Sequence, residues 1–344
     1  MKFPAAVLRD FAGNCYVRLG LPEGDAWLVA DSLVQADLWG HPSHGMLRLF
    51  WYALRLESGA ISKVSSPIIS GKGALLTMDG HDGVGQVVAK AAMQQAILSA
   101  KVHGIGGVSV RNSGHFGTAM YYTRMAASTG CIGFLCTNAS PAMAPWGGID
   151  KRLGTNPWSW AAPAGHYPTM MLDIANTAVA RGKLYAAESL GKPIPKGWAM
   201  DLDGHVTTDA ADGIAGTILP MAGHKGYAIG FVIDVLSGVL SGGSFGTGVT
   251  GPHVPDGRSG AGHLAIAIDI AATRPLPDFE ADMVRLIDEI KTSRKAPGAT
   301  DIFYPGEIEA LNEARHLAEG IDLPDTVVRD LSRGAERIGV PHPF

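Results

Sequence analysis

The chain has 344 residues, of which 46% are hydrophobic and 17% charged, with a formal net charge of −4, a pI near 6.3 and a mean hydropathy of +0.12. That is the profile of a compact enzyme with ample core, and it excludes a disordered or fibrous chain. No Lys/Arg cluster is visible, which argues against a nucleic-acid partner.

Cys15, Cys131 and Cys136 are an odd set without CxxC spacing. They argue against a disulfide framework and a structural zinc site and fit a reducing compartment, the cytoplasm. No catalytic metal-ligand set stands out either. From Met1 to Asp10 the apolar stretch is too short for a signal peptide. The most apolar segment, Tyr227 to Leu240, is interrupted by Asp234 and falls short of a bilayer span. It reads as a buried helix, and no membrane partner is expected.

In chain order, Asp25 to Trp39 predicts a helix with a broad apolar face and a stop at Gly40. A second helix follows, with Ser43 as N-cap. Ala74 to Met78 reads as a strand, Gly85 to Val102 as a long Ala-rich helix, and Val108 to Val110 as a strand leading into the loop 111–117. Ala119 to Ser128 is helical and Cys131 to Thr137 a strand. The Pro- and Gly-rich loop from Asn138 to Asn156 has the length of a functional loop. Strands near Trp158–Ala162, Met170–Ile174 and Leu264–Ile270 complete the pattern, with a mainly helical C-terminal portion. Strands and helices do not alternate evenly, so a regular doubly wound parallel sheet is not expected.

Several motifs carry candidate chemistry. On a helix from Ser43, the side chains of His44, Arg48 and Tyr52 fall at i, i+4 and i+8 and form one stripe among apolar residues. A buried Arg needs an anion. A His one turn away can exchange a proton with whatever carries that anion. The plainer alternative is an Arg paired with an internal acid beside a core His. Gly83-Val84-Gly85 resembles the start of a dinucleotide fingerprint, but Val88 occupies the third small position and Arg111 stands where an acidic residue is expected. Helix capping explains that turn. His115, between glycines in a loop leaving a strand, is a catalytic candidate or a loop His bonded to backbone. Thr155 and Asn156 suit a small oxygen-rich ligand or simple turn chemistry. In Gly223-His224-Lys225-Gly226 a Lys sits at a helix N-terminus, where it disfavours the helix unless an anion is present. Asp173-Ile174-Ala175 and the segment around Arg181 flank a strand end and suit ribose or phosphate contacts.

Taken in order, these segments resemble the type-2 malate/L-lactate dehydrogenase family, whose members include ureidoglycolate dehydrogenase, 2,3-diketogulonate reductase, sulfolactate dehydrogenase and Δ1-piperideine-2-carboxylate reductases. The landmarks are Ser43-His44-Gly45 with Arg48, Gly114-His115-Phe116-Gly117, Asn138-Ala139-Ser140-Pro141, Pro145-Trp146-Gly147-Gly148, Leu153-Gly154-Thr155-Asn156-Pro157, Ala180-Arg181-Gly182-Lys183, Pro195-Lys196-Gly197-Trp198-Ala199, Gly223-His224-Lys225-Gly226 and Tyr304-Pro305-Gly306-Glu307.

The resemblance implies an α/β fold of α+β type that is not a Rossmann fold. A central, largely antiparallel mixed sheet would bind the cofactor, beside a helical lobe built from both chain ends. The corresponding lobes are residues 1–115 with 295–344, and 116–294. It also implies a homodimer and an NAD- or NADP-dependent oxidoreductase moving a hydride to or from C2 of a small 2-hydroxy or 2-oxo acid. The alternative is a reductase of cyclic imino acids. Arg48 would hold the substrate carboxylate, with Ser43, Tyr52, Thr155 and Asn156 around the substrate. His44 or His115 would carry the proton. Ser140, Asp173, Ile174, Ala175, Arg181, His224, Lys225, Gly226, Pro305, Gly306 and Glu307 fall in regions expected to touch the cofactor. Gly40-His41-Pro42 departs from the usual residues before Ser-His-Gly, so His41 and Trp51 are candidates for altering the pocket.

Overall fold

The computed structural model describes residues 1–344. In chain order its main elements are β1 (Lys2–Phe3), α1 (Ala5–Arg18), α2 (Glu23–Leu38), α3 (Leu49–Ser58), β2 (Ile68–Ser70), β3 (Leu75–Asp79), α4 (Gly85–His103), β4 (Ile105–Ser113), α5 (Met120–Ala127), β5 (Cys131–Thr137), β6 (Trp158–Ala162), β7 (Met170–Ile174), α6 (Arg181–Ser189), β8 (Ala199–Met200), β9 (Val206–Thr207), α7 (Ala210–Ala215), β10 (Thr217–Ile218), α8 (His224–Asp234), β11 (Ala261–Asp269), α9 (Leu276–Lys291), α10 (Glu307–Glu319), β12 (Ile321–Asp322) and α11 (Asp325–Ile338).

The central sheet has seven strands in the order β2-β3-β4-β11-β5-β6-β7. Only β3 and β4 run parallel; every other neighbouring pair is antiparallel. The sheet is therefore mixed and largely antiparallel. The one parallel pair needs a crossover, and α4 supplies it. That single β–α–β unit is why the sequence around Gly83 looks like the opening of a dinucleotide fold. Small residues set how closely α4 lies on the sheet. Ala89, Ala92, Ala96 and Ala100 are all completely buried, and a Cβ on Gly106 would sit 2.2 Å from the Ala96 carbonyl oxygen.

A second core joins both chain ends. Phe3, Leu8, Phe11, Leu33, Leu38, Met46 and Leu49 pack with Ile321, Val328 and Leu331, and each such side chain contributes about 1.5–3 kcal/mol by leaving water. The terminal strands β1 and β12 pair within this lobe. Residues 75–113, which the sequence reading grouped with the helical lobe, pack into the sheet instead: Met78, Val88, Met93, Val108 and Val110 share a core with Phe116, Tyr122 and Ala265. Most of their apolar surface is matched to the sheet, and only the start of α4, at Val84 and Val87, also meets the helical-lobe core.

Two local expectations are corrected. The helix predicted from Ser43 is broken into short 3-10 turns at Pro42–His44 and Met46–Arg48, and α3 begins only at Leu49. Ser43 makes no cap; its hydroxyl is bonded to the His44 ring. The cause is Asp37, whose buried carboxylate accepts the Met46 N–H at 2.7 Å. A Cβ on Gly45 would lie 2.1 Å from that carboxyl carbon, so only glycine fits there. Second, the segment Tyr227–Leu240 is buried on one face only: α8 passes into a π-helical turn at Val235–Val239, Ile229, Ile233 and Leu236 pack against Phe134 and Leu264 of the sheet, and Phe231, Val232 and Val239 are each more than half exposed. A second apolar strip therefore faces outward from this chain.

Burial pushes the Asp37 carboxyl up to about 7, partly offset by the Met46 N–H. A carboxyl raised in the folded state weakens the fold as pH climbs from about 4 through 7, because ionising it costs more folded than unfolded. Asp37→Asn keeps the acceptor and removes the charge. Its melting temperature should exceed wild type at pH 8 and converge with it as pH falls toward 4. An offset that does not change with pH would remove Asp37 ionisation from the account.

Candidate active site

The broken segment places its polar side chains differently from a continuous helix. His44 stands on the first 3-10 turn, Arg48 closes the second, and Tyr52 lies in the first turn of α3. They still converge, because the loop after β4 comes to meet them. The His44 and His115 rings stack with centroids 5.5 Å apart at 22°. The Tyr52 hydroxyl is 2.5 Å from His115 Nδ1. Gly85 permits this meeting: a Cβ there would lie 2.5 Å from the His115 carbonyl oxygen and 2.6 Å from that of Gly114. The glycine that imitates a phosphate-binding turn instead lets the His115 loop pass over the start of α4.

Hydrogen bonds distinguish the two imidazoles. The Gly117 backbone N–H donates to His115 Nδ1 at 3.3 Å. A backbone N–H can only donate, so Nδ1 is the acceptor and the ring proton of neutral His115 belongs on Nε2. His44 Nδ1 instead faces the Ser43 hydroxyl at 2.8 Å. A hydroxyl accepts as readily as it donates, so His44 is free to keep a lone pair on Nε2. Burial pushes the His44 imidazole down to about 3, with Arg48 and then His41 adding repulsion. Burial also holds His115 well below the usual imidazole range, with Arg48 and His44 adding to it. Both rings are neutral at neutral pH.

Arg48 has no acid partner. Its Nε donates to the Ser43 carbonyl at 2.7 Å, and its guanidinium carbon lies 4.1 Å from the Trp51 ring centroid. Backbone and ring orient the group and leave both terminal nitrogens for a ligand. Beside it opens a cavity of about 420 Å³ lined by Ser140, Lys151, Arg181, Tyr185 and His253 among others. The start of α6 lies against the same turn, Gly182 close to Ser43, where a Cβ on the glycine would make an ordinary 3.5 Å contact with the Ser43 Cβ.

Other sequence-selected residues are placed elsewhere or are already committed. Asn156 is fully buried; its Oδ1 accepts from Ala139 N and its Nδ2 donates to the Gly230 carbonyl. That amide braces the loop against α8 and is not presented to a substrate. Thr155 lies beside it, half-buried, with its carbonyl taken by Asn176 N. Asp173 Oδ2 accepts the Met120 N–H at the start of α5, and burial pushes this carboxyl up to about 6. Ile174 and Ala175 follow at the end of β7, half-buried. The Pro305 carbonyl accepts the Met171 N–H and Gly306 fits tightly against β7, while Glu307 is ion-paired with Lys291 at 2.6 Å. His224 and Lys225 are exposed on the first turn of α8, whose N-cap, Gly223, offers no capping side chain. Gly226 is buried there, and a Cβ would strike the Met221 carbonyl at 2.3 Å.

Sequence reading missed the part played by Lys151, Tyr185 and His253. Tyr185 was findable as the residue one helical turn after Arg181. His253 was not, because the loop that carries it is distant in sequence and is tied down by carbonyl contacts from Gly251 and Val254 to Arg55.

The family model for malate/L-lactate dehydrogenase matches residues 3–332. The malate dehydrogenase of Pyrococcus horikoshii is 39% identical over 349 residues, covering 99% of this chain and 96% of that protein. The ureidoglycolate dehydrogenase (NAD(+)) of Escherichia coli K12 is 33% identical over 337 residues, covering 96% and 95%. Among solved structures, the sulfolactate dehydrogenase from Methanocaldococcus jannaschii matches with a TM-score of 0.92 at 38% identity, covering 99% of this chain and 98% of that one.

The electrostatics of the two rings are measurable without substrate. In the ligand-free protein neither His44 nor His115 should titrate between pH 5 and 8 by histidine NMR. Arg48→Gln should raise the His44 value but leave it below the ordinary range, since burial is the larger cause. A His44 ring titrating near 6.5 in wild type would refute this electrostatic picture.

Proposed function

The chain belongs to the malate/L-lactate dehydrogenase family, and from that premise we propose an NAD- or NADP-dependent oxidoreductase acting at C2 of a small 2-hydroxy or 2-oxo acid. The observation that carries the reading is Arg48: a largely enclosed guanidinium oriented by the Ser43 carbonyl and Trp51, with no carboxylate beside it and two neutral imidazoles within reach. The protein places no acidic side chain of its own on such a group, which suits it to an anionic ligand. A substrate carboxylate on the two terminal nitrogens fixes C2 by a fork, which orients as well as binds.

The two histidines take different parts. Neutral His115 donates from Nε2 to the substrate's C2 oxygen, while Tyr52 and the Gly117 N–H hold its other nitrogen. His44 exchanges the proton with that oxygen through Nε2, steadied by Ser43. Substrate binding assists: a carboxylate on Arg48 cancels the cation that disfavours the His44 imidazolium. In the reducing direction His44 must be protonated, so kcat/KM falls as pH rises; in the oxidising direction neutral His44 accepts the proton and the dependence reverses.

A nicotinamide dinucleotide fits the donor set. Lys225 is an exposed cation on the first turn of a helix whose start has no capping side chain, which suits a phosphate, with His224 and Gly226 in the same turn. Ser140, the Asp173-Ile174-Ala175 strand end and the Pro305-Gly306-Glu307 turn are the further contact regions we assign to it, mainly through backbone groups since Asp173 and Glu307 are already engaged. When bound, the cofactor supplies or accepts the hydride. We assign the exposed apolar face of Phe231, Val232, Val235 and Val239 to a homodimer interface. Three buried free thiols support a reducing compartment such as the cytoplasm.

NADH or NADPH oxidation followed by absorbance, with a panel of 2-oxo acids and cyclic imino acids, tests the reading. Turnover of 2-oxo acids is expected; turnover of imino acids alone would move the chemistry to C=N, and oxidation of neither coenzyme would overturn it. Arg48→Lys should raise KM strongly, because a point charge does not replace the fork. His44→Ala should lower kcat by about 10²–10⁴-fold and abolish its pH dependence; His115→Ala should lower kcat but keep that dependence. The reverse pattern would exchange the two roles.

A further inference from the structure

Tyr52 and His115 meet across the seam between the helical lobe and the sheet, and Gln86 lies in that seam. It is the second residue of α4. Val84 and Val87, on either side of it, pack against the core that contains Tyr52. Gly85, just before it, lies under the His115 loop, where a Cβ would strike the His115 carbonyl. Gln86 is only 1% exposed, and its buried Nε2 has no hydrogen-bond partner. Such an unused amide N–H is costly. The group within its reach is the Tyr52 hydroxyl. Burial holds that hydroxyl well above the ordinary phenol range; against it Arg48 and Arg55 act by charge, and Gln86 alone as a hydrogen-bond donor. A small rotation of the amide seats an N–H on the Tyr52 oxygen.

The direction of these bonds follows from one end of the chain of donors. The Gly117 N–H can only donate, so His115 Nδ1 carries no proton. The Tyr52 hydroxyl, 2.5 Å away, therefore donates to it. That commits the one proton on Tyr52 and leaves its buried oxygen able only to accept. We propose that Gln86 is a positioning residue for the reaction: its Nε2 donates to the Tyr52 oxygen, which holds the Tyr52 proton on His115 Nδ1 and the His115 proton on Nε2. With the amide oxygen toward Tyr52 the bonds would reverse. Tyr52 would donate to Gln86, His115 would give Nδ1–H to Tyr52, and Nε2 would be a bare acceptor. Gln86 thus sets which His115 nitrogen carries the proton without touching substrate or cofactor. Its part in turnover rests on the reading that His115 donates from Nε2 to the substrate oxygen.

Histidine ¹⁵N NMR on the whole protein without substrate reads the His115 tautomer, assigned against His115→Ala. Wild type should show a single Nε2–H form. Gln86→Met should populate the Nδ1–H form as well, and in a Tyr52→Phe background the same change should have no further effect. In turnover of a 2-oxo acid, Gln86→Met should lower kcat about tenfold and leave the coenzyme KM within about twofold. The double variant should be no slower than Tyr52→Phe alone, because Gln86 acts only through Tyr52. Circular dichroism checks folding; if Gln86→Met does not fold, Gln86→Asn, whose shorter amide falls short of the hydroxyl, takes its place with the same expectations. A wild-type Nδ1–H form, a tautomer unchanged in the variant, or a kcat loss that adds to that of Tyr52→Phe would overturn this role. Because the tautomer is read without turnover, a protein that shows these shifts but reduces no 2-oxo acid would support the action of Gln86 on His115 and count against the proposed reaction.

Discussion

An unpaired, largely enclosed guanidinium is an unfavourable thing to build, and the surroundings of Arg48 are organised to tolerate it. The Ser43 carbonyl takes one N–H, the face of Trp51 covers the plane, and no acid is placed to neutralise the rest. Burial, reinforced by the same positive potential, keeps both neighbouring imidazoles uncharged. A structural ion pair at this point would have been more stable and chemically inert. Leaving the charge open couples the site to its ligand: an arriving anion relieves the repulsion and makes protonation of His44 easier.

The fold serves this arrangement by bringing four distant segments to one place. The helical lobe contributes the broken turn that carries Ser43, His44 and Arg48, held in shape by the buried Asp37 and by the absence of a side chain at Gly45. The sheet contributes the His115 loop at the end of β4, passing over Gly85. The β7–α6 connection contributes Arg181, and the loop before β11 contributes His253. The Ser43–Arg48 turn and the His115 loop depend on close backbone approaches that a Cβ would prevent, and the His253 loop on a buried polar contact to Arg55, so these parts of the site are assembled by packing constraints that lie outside it.

Local pattern carried much of the architecture. A broad apolar face located α2 and an Ala-rich run α4, the stretches of α5 and β5 to β7 were placed as helix and strands, and uneven strand spacing argued against a doubly wound sheet. Expectations failed where a single tertiary contact outweighed local preference. Residues 42–48 read as helix, yet Asp37 captures the Met46 N–H and breaks it. Residues 227–240 read as buried because their composition is apolar, yet this chain alone does not cover Phe231 or Val232. Asn156 reads as a ligand contact because an amide is versatile, yet Ala139 and Gly230 consume both ends of it.

The sequence by itself determined the residue types of the site and the family to which their order belongs, because motif chemistry is written in consecutive residues. It also determined that Arg48 would want an anion, since that follows from the charge and its apolar neighbours. Only the tertiary structure decided that no internal acid answers Arg48, that His115 accepts at Nδ1 while His44 faces a hydroxyl, and that Lys151, Arg181 and His253 open onto one cavity. Those facts depend on which groups far apart in sequence come within a few ångströms, and electrostatics over such distances is set by the fold and not by the order of residues along the chain.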